Sequence, residues 1–276
     1  MAGQTMSVPC AVSATRMTNQ RVLLRPAYVL HQRAYRDTSA IIELLTPEQG
    51  RVGVVAKGVR GSKPRWRGLL QNFQPLLVSF SQRGELGLLT EAEAQGAALT
   101  IPPQLIASGF YLNELLLRLL HRNDAHIELF GWYDTALREL AALGVAENEQ
   151  VLLEIILRRF EMRLLSALGY GLVLDHDVQT SMPVQAEKEY IYFLEQGPVM
   201  CVEDPLAVED DAVHTGVKLS GQTLLALAAN EFPSATIRRQ AKQLLRAMLA
   251  HYLGDKPLQS RRLLQQSAQL AQRTTL

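Results

Sequence analysis

The first hundred residues show short apolar runs separated by turn-forming residues, a pattern typical of a small β-domain. Pro47–Gly50 and Arg83-Gly84 indicate turns. The runs predicted as strands are Val22–Leu30, Ser39–Thr46, Arg51–Ala56, Phe73–Ser81 and Glu85–Thr90. Five short strands in a segment of this length have the size of a small closed barrel such as the OB-fold. An SH3-like barrel or a meander fits the periodicity as well.

After Ile101-Pro102-Pro103 the spacing of apolar residues changes to that of helices. Helices are predicted at Leu105–His121, His126–Leu143, Glu149–Leu168, Ser220–Ala229, Ala235–Leu253 and Leu258–Leu270. Between the third and fourth helices, a polar, irregular stretch leads into a hairpin of Tyr190–Leu194 and Val199–Val202 and then an acidic loop. The sequence therefore predicts an α+β protein with three parts: a disordered leader (1–20), a five-stranded OB-fold barrel (21–98) and a mainly helical domain (104–270) with an irregular hairpin insertion at about 171–212.

Composition and charge narrow the class of protein. The 276 residues are 47% hydrophobic and 20% charged, which is ordinary for a globular chain, and no apolar run is long enough for a membrane span. Cys10 and Cys201 lie far apart, so we expect no disulfide and a reducing, cytoplasmic compartment. The net charge of +1 divides into +6 for residues 1–100, −12 for 101–235 and +7 for 236–276. Basic ends around an acidic middle indicate contact with a polyanion or docking of the ends onto the middle.

A basic loop follows the third predicted strand. Together with Arg51 at the start of that strand, residues 51–67 hold six cations and no acid: Arg51, Lys57, Arg60, Lys63, Arg65 and Arg67. Such a loop can follow a phosphate backbone, and Trp66 within it can stack on a base of any identity. Tyr35 and Arg36, after the first strand, extend the same surface. We therefore predict sequence-independent binding of nucleic acid; the alternative is a solvated loop in which Trp66 covers one end of the barrel.

Short motifs in a fixed order carry a resemblance that covers residues 26–265. They are Tyr28–His31, Tyr35–Ser39, Thr46–Val52, Val55–Arg60, Gly68–Leu76, Tyr111–Leu115, Leu157–Glu161, Leu168–Gly171 and Lys256–Arg261. In these the chain resembles the RecO family of bacterial recombination mediators. The resemblance implies an OB-fold followed by a helical domain, no catalytic turnover, and binding of single- and double-stranded DNA. It also implies annealing of complementary strands and, with RecR, loading of RecA onto DNA coated by the single-stranded-DNA-binding protein. Arg51, Lys57 and Arg60 fall at the matching barrel positions.

The same resemblance implies a docking site for a partner protein. RecO-like proteins bind the acidic, Phe-ending tail of the single-stranded-DNA-binding protein in an apolar pocket of the helical domain. Such a tail requires a cation for its terminal carboxylate, and we expect Arg158, then Arg159, in that role. The alternative is an i,i+4 pair of Glu154 with Arg158 on a solvated edge.

A metal site of many relatives has been lost from this sequence. Their four-cysteine zinc site corresponds to residues 172–204, where only Cys201 remains, with Asp175, His176 and Asp177 near the place of the first cysteine pair. Because a structural zinc requires four nitrogen or sulfur ligands, we expect no zinc and a hairpin held by packing. A loose site formed by these four residues is the weaker alternative.

The remaining motifs bear on the class of function. Arg238, Arg239, Lys242 and Arg246 form a basic stripe on one helix, which we interpret as a solvated or docked face rather than a second DNA surface. The sequence has no P-loop, dinucleotide-binding or nucleophile-elbow motif. The absence of these motifs leaves nucleotide hydrolysis and nucleophilic catalysis without support. With the resemblance, which implies a recombination mediator, we predict a protein that needs no cofactor, lies in the cytoplasm with the nucleoid and does not bind membranes. The alternatives are an RNA-binding module of translation or ribosome assembly and, more weakly, a metal-dependent nuclease.

Overall fold

The N-terminal part of the chain is a closed β-barrel. The computed structural model describes residues 20–60, 66, 68–201, 216–254 and 256–260. The barrel strands are β1 (Gln20–Tyr35), β2 (Ser39–Thr46), β3 (Gly50–Ala56), β4 (Leu76–Arg83) and β5 (Leu86–Ala94). They run in the order β1-β2-β3-β5-β4, and β4 closes the barrel on β1. All pairs are antiparallel except β3 with β5. The five-stranded OB-fold barrel is therefore confirmed.

The barrel interior follows from alternation along the strands. On β3, Val52, Val54 and Ala56 point inward and are buried with Phe80 of β4. β1 is longer than predicted and continues from Leu30 to Tyr35. Its last residues are largely exposed, so no apolar alternation marks them. Register shifts between Val22 and Arg25 and between Val29 and His31 bend the strand, which lets it pair with β4 first and β2 afterwards.

The second part is helical, as predicted. Its helices are α1 (Ile106–Leu119), α2 (Ile127–Ala142), α3 (Glu149–Ala167), α4 (Gly221–Ala228) and α5 (Ala235–Leu253). The Ser234 hydroxyl accepts a hydrogen bond from the Ile237 N–H (3.2 Å) and so caps α5. The helix predicted over Leu258–Leu270 lies mostly outside the described residues. No helix in the described part of the chain is long and apolar enough to cross a membrane.

The predicted hairpin is part of a larger sheet. Strands β6 (Glu189–Phe193), β7 (Gly197–Met200) and β8 (Gly216–Ser220) pair in the order β7-β6-β8. The sequence did not indicate β8, because the strand is short and only two of its residues, Val217 and Leu219, are apolar and face the core. The two-stranded prediction is therefore corrected to a three-stranded antiparallel sheet.

The barrel and the helices share one core. Tyr28, Leu30 and Leu45 on the outside of the barrel belong to the same apolar cluster as the helices. A polar contact crosses the boundary as well: the Asn113 amide of α1 donates to the Leu30 carbonyl of β1 (3.1 Å), and the Tyr133 hydroxyl of α2 holds that amide by donating to its oxygen (2.5 Å). The helical part therefore covers one side of the barrel, and a ligand reaches only the sides that remain open.

Candidate nucleic-acid interface

The outer face of β2 and β3 has a covered half and an open half. Residues opposite each other on paired strands share a face, so Glu43, Gly53 and Leu86 form one outward row. The loop between α1 and α2 lies over the Glu43 and Gly53 end of this row: a Cβ built on Gly53 would be 3.1 Å from the Arg122 Cζ atom. The next outward row contains Val55, and it borders the open half.

Arg51 belongs to the covered half. Its guanidinium donates to the Leu117 carbonyl of α1, and its Nε lies 3.4 Å from a carboxylate oxygen of Glu43. Arg122 binds the other carboxylate oxygen of Glu43. Burial lowers the pKa of Arg51, and the charge of Glu43 opposes that shift. Arg51 therefore connects the barrel to the helices, and the structure removes it from the predicted basic surface.

Trp66 also leaves the predicted surface. Its side chain is 6% exposed and packs in the barrel interior with Leu70. A ring must have an open face to stack on a base, so the structure favours the alternative that Trp66 covers one end of the barrel. The sequence carries a signal for this buried position, because Trp66, Leu69 and Leu70 are spaced like residues on one apolar face of a turn. The Leu69 N–H donates to the Trp66 carbonyl (3.1 Å), which closes that turn. The predicted cations Lys63, Arg65 and Arg67 lie outside the described residues.

A groove occupies the open half of the barrel face. It lies where the β1–β2 turn, the end of β3 and the beginning of β5 meet, and it has a volume of about 480 Å³. It is lined by Tyr35, Arg36, Val55, Lys57, Ser81, Leu86, Gly87 and Leu88. OB-folds bind oligonucleotides on the face of strands 2 and 3 and on the loops that join strands 1 to 2 and 4 to 5. The groove therefore lies where that fold binds nucleic acid.

The groove combines a ring, an apolar floor and cations. The Arg36 Cζ atom lies 5.1 Å from the centroid of the Tyr35 ring, within range of a cation–π contact. Lys57 is exposed at the end of β3. The Arg60 N–H donates to the Thr38 carbonyl (3.0 Å), which places the exposed Arg60 beside the same turn. Four of the predicted residues, Tyr35, Arg36, Lys57 and Arg60, are thus brought together.

The apolar floor of the groove was missed in the sequence. It consists of Val55, Leu86 and Leu88. The floor could have been predicted from Val55, an apolar residue that strand alternation places outward between the inward Val54 and Ala56. No acidic side chain lines the groove among the residues that the structure describes.

Comparison with known proteins decides the family. The family model described as Recombination protein O N terminal matches residues 21–97, and the one described as Recombination protein O C terminal matches residues 103–262. The chain belongs to the RecO family. Proteins named DNA repair protein RecO from Nitrosococcus oceani and Alkalilimnicola ehrlichii are each 46% identical to it, over 91% and 94% of this chain and 96% and 97% of theirs. The protein of that name from Nitrosospira multiformis is 43% identical over 91% of this chain and 98% of its own. The resemblance to RecO is thus confirmed, and the chain is a RecO-type DNA repair protein.

The two arginines expected to bind the partner tail in RecO differ in their surroundings. Arg158 is 8% exposed and pairs with Glu161, whose carboxylate also accepts a hydrogen bond from the Tyr111 hydroxyl (2.6 Å). The solvated pair of Arg158 with Glu154 is therefore wrong. Arg159 is only partly buried, and its Nε has no hydrogen-bond partner among the described residues.

The partners of Glu154 lie on the basic stripe of α5 instead. Its carboxylate is 3.7 Å from Arg238 Nε and 3.5 Å from Lys242 Nζ. These two cations dock against the acidic middle of the chain, as interpreted from the sequence. Arg239 and Arg246 are exposed. The stripe is thus half docked and half solvated.

The residues at the place of the RecO zinc site do not fit a metal. One carboxylate oxygen of Asp177 accepts from the N–H groups of Gln179 (2.9 Å) and Thr180 (2.7 Å), and the other accepts from that of Met200 in β7 (2.6 Å). Burial raises the pKa of Asp177, but these hydrogen bonds outweigh it and the pKa is lowered. Within the described residues no three His, Cys, Asp or Glu side chains converge as metal ligands. Asp177 thus joins the loop to the sheet, and the absence of zinc stays a prediction.

Proposed function

We propose that this chain is a recombination mediator whose barrel groove binds single-stranded DNA without reading its sequence. The observation that carries the proposal is the meeting of Tyr35, Arg36 and Lys57 in one groove with an apolar floor. The Tyr35 ring offers a stacking face to any base, a contact that is typically worth about 1–3 kcal/mol. The cations neutralise phosphates and release counterions, whatever the base order. Arg60 extends this contact along the strand.

A titration of fluorescent single-stranded DNA at several salt concentrations tests this site. In the double variant Arg36→Asn, Lys57→Gln we expect weaker binding and a log K against log salt slope that is shallower by about 1.4, because each lost phosphate contact removes roughly 0.7. Asn tolerates the left-handed backbone of position 36 (φ 52°), so the turn is preserved. Tyr35→Ala should weaken binding with the slope unchanged, because its ring carries no charge.

The matched control removes a cation from another side of the barrel. Arg25 is exposed, pairs with Glu48 at 3.2 Å and does not line the groove. Arg25→Gln should therefore leave both affinity and slope near those of the unmodified protein. An equal loss in this variant, or no loss in the groove variant, contradicts the assignment. Tighter binding to RNA than to DNA of the same sequence favours the RNA-binding alternative.

The proposal includes a place for the acidic tail of the single-stranded-DNA-binding protein. Leu152, Ile155 and Met162 recur at helical spacing on α3, are all partly or fully exposed, and flank Arg159. This combination supports an apolar seat for a terminal Phe ring beside a cation for the carboxylate. Because the guanidinium of Arg158 is already paired with Glu161, Arg159 takes first place in this role.

Membership of the RecO family supports a wider role. We propose that the chain also binds double-stranded DNA, anneals complementary strands and, with RecR, helps to load RecA onto coated DNA in the cytoplasm at the nucleoid. These steps redistribute binding free energy and break no covalent bond, so they require neither a catalytic group nor a cofactor. The test is annealing of complementary strands coated with the single-stranded-DNA-binding protein. Annealing that the groove variant performs as fast as the unmodified protein contradicts the proposal.

A further inference from the structure

A second, smaller pocket lies on the helical part of the molecule. It is enclosed by the end of α3, the β6–β7 turn and the last turns of α5, and it has a volume of about 170 Å³. Its lining includes Tyr170, Tyr192, Glu195, Gln196, Met248 and Tyr252. None of these residues lines the barrel groove, and no Lys or Arg lines this pocket among the described residues. The two pockets thus differ in both position and charge.

Three tyrosines give the pocket aromatic walls. The rings of Tyr170 and Tyr252 stack with centroids 3.8 Å apart and planes 13° apart, and Tyr170 is 41% exposed. The Tyr192 hydroxyl accepts a hydrogen bond from the Val173 N–H (3.1 Å), which fixes that buried ring. Burial raises the pKa of Tyr192 to about 12. Because Tyr192 is only 2% exposed, the rings whose faces a cation can reach are those of Tyr170 and Tyr252.

A carboxylate lies at the edge of these rings in an unusual backbone conformation. Glu195 has a φ of 65° in the turn between β6 and β7, a left-handed backbone conformation that residues other than Gly and Asn disfavour. Its side chain is 58% exposed, and one oxygen lies 3.1 Å from His251 Nε2. Backbone strain at a residue that lines a pocket points to a function for its side chain. The acid is therefore held where the pocket opens.

We propose that this pocket binds an arginine side chain presented by a protein partner. A guanidinium is flat, stacks on tyrosine faces and pairs with a carboxylate through two parallel hydrogen bonds. The pocket volume admits the head of one side chain. A lysine ammonium is a compact, strongly hydrated charge that matches stacked rings less well. The charge of Glu195 and the lack of a lining Lys or Arg among the described residues favour this cation over a nucleic-acid phosphate as the ligand.

The experiment uses the full chain labelled with ¹³C in its tyrosine rings and N-acetyl-arginine amide as the probe. We expect saturable shifts of the Tyr170 and Tyr252 resonances with this probe and none with N-acetyl-citrulline amide, which has the same shape without the charge. Glu195→Asn should weaken binding by about tenfold or more, the loss expected for one charge-assisted contact. Glu187→Gln, which removes an exposed acid outside the pocket, is the control and should bind as the unmodified chain does.

Two further measurements on Glu195→Asn distinguish loss of this site from misfolding and from damage to the barrel groove. Asn suits the left-handed backbone, so the thermal midpoint of Glu195→Asn should equal or exceed that of the unmodified chain. Its affinity for single-stranded DNA should be unchanged, because the pocket shares no residue with the groove. Equal binding of the citrulline and arginine probes, or full arginine binding by Glu195→Asn, overturns the proposal. Tighter binding of spermidine than of the arginine probe also overturns it, because the ligand would then be a free polyamine.

Discussion

The contact between the α1–α2 loop and the barrel can be tested at a single glycine. Gly50 has a φ of 62°, and a Cβ built there would lie 1.6 Å from the carbonyl oxygen of Asp124. In Gly50→Ala the left-handed backbone alone costs about 1–2 kcal/mol. The loop must also move away, which breaks the hydrogen bond from the Asn123 N–H to the Arg51 carbonyl (2.9 Å) and loosens the Arg122–Glu43 pair. We expect a total loss of unfolding free energy of about 3–5 kcal/mol.

Gly58 supplies the matched control for this substitution. It has a φ of 72°, but nothing lies within 4 Å of a Cβ built on it. Gly58→Ala therefore carries the backbone strain without the clash and should lose only about 1–2 kcal/mol. Urea unfolding followed by circular dichroism measures both variants. Equal losses would refute the reasoning, because they would mean that the loop does not press on the beginning of β3.

Two further predictions concern the helical part. Arg159→Ala should weaken binding of an acidic, Phe-ending peptide by about tenfold, whereas Arg158→Ala should chiefly cost about 3–5 kcal/mol of stability because it removes the cation that pairs with the buried Glu161. Peptide anisotropy and urea unfolding distinguish the two variants, and the reverse pattern contradicts the assignment. Asp177→Ala should cost about 1–3 kcal/mol at pH 7, because the N–H groups that the carboxylate binds, such as that of Met200, lose their acceptor. Because the pKa of Asp177 is lower in the folded protein than in the unfolded chain, its carboxylate stabilises the fold fully above the unfolded-state pKa of about 3.9. That stabilisation is lost as pH falls through the folded-state pKa. The stability difference between this variant and the unmodified chain should therefore shrink from pH 7 to pH 3, and a constant difference would refute the role given to the carboxylate.

Local patterns in the sequence determined most of the elements. The strand Ser39–Thr46 and the helix Ala235–Leu253 have the bounds predicted for them. Each is marked within its own residues. The strand has an apolar run, interrupted only by Glu43, that ends at a turn signal, and the helix has a serine cap, apolar spacing and a final glycine. The family resemblance was equally readable, because it depends on the order of residues along the chain. β8 was missed because five residues carry too little pattern of their own.

Tertiary structure decided which of the predicted site residues reach solvent. Arg51 and Lys57 belong to the same basic stretch of the sequence. Arg51 lies near the start of β3, where the helical part covers it, whereas Lys57 directly follows the end of β3 and lines the open groove. Trp66 lies among cations in the sequence but inside the barrel in space. The physical reason is that charge and ring are properties of one residue, whereas exposure depends on which distant segment packs against it.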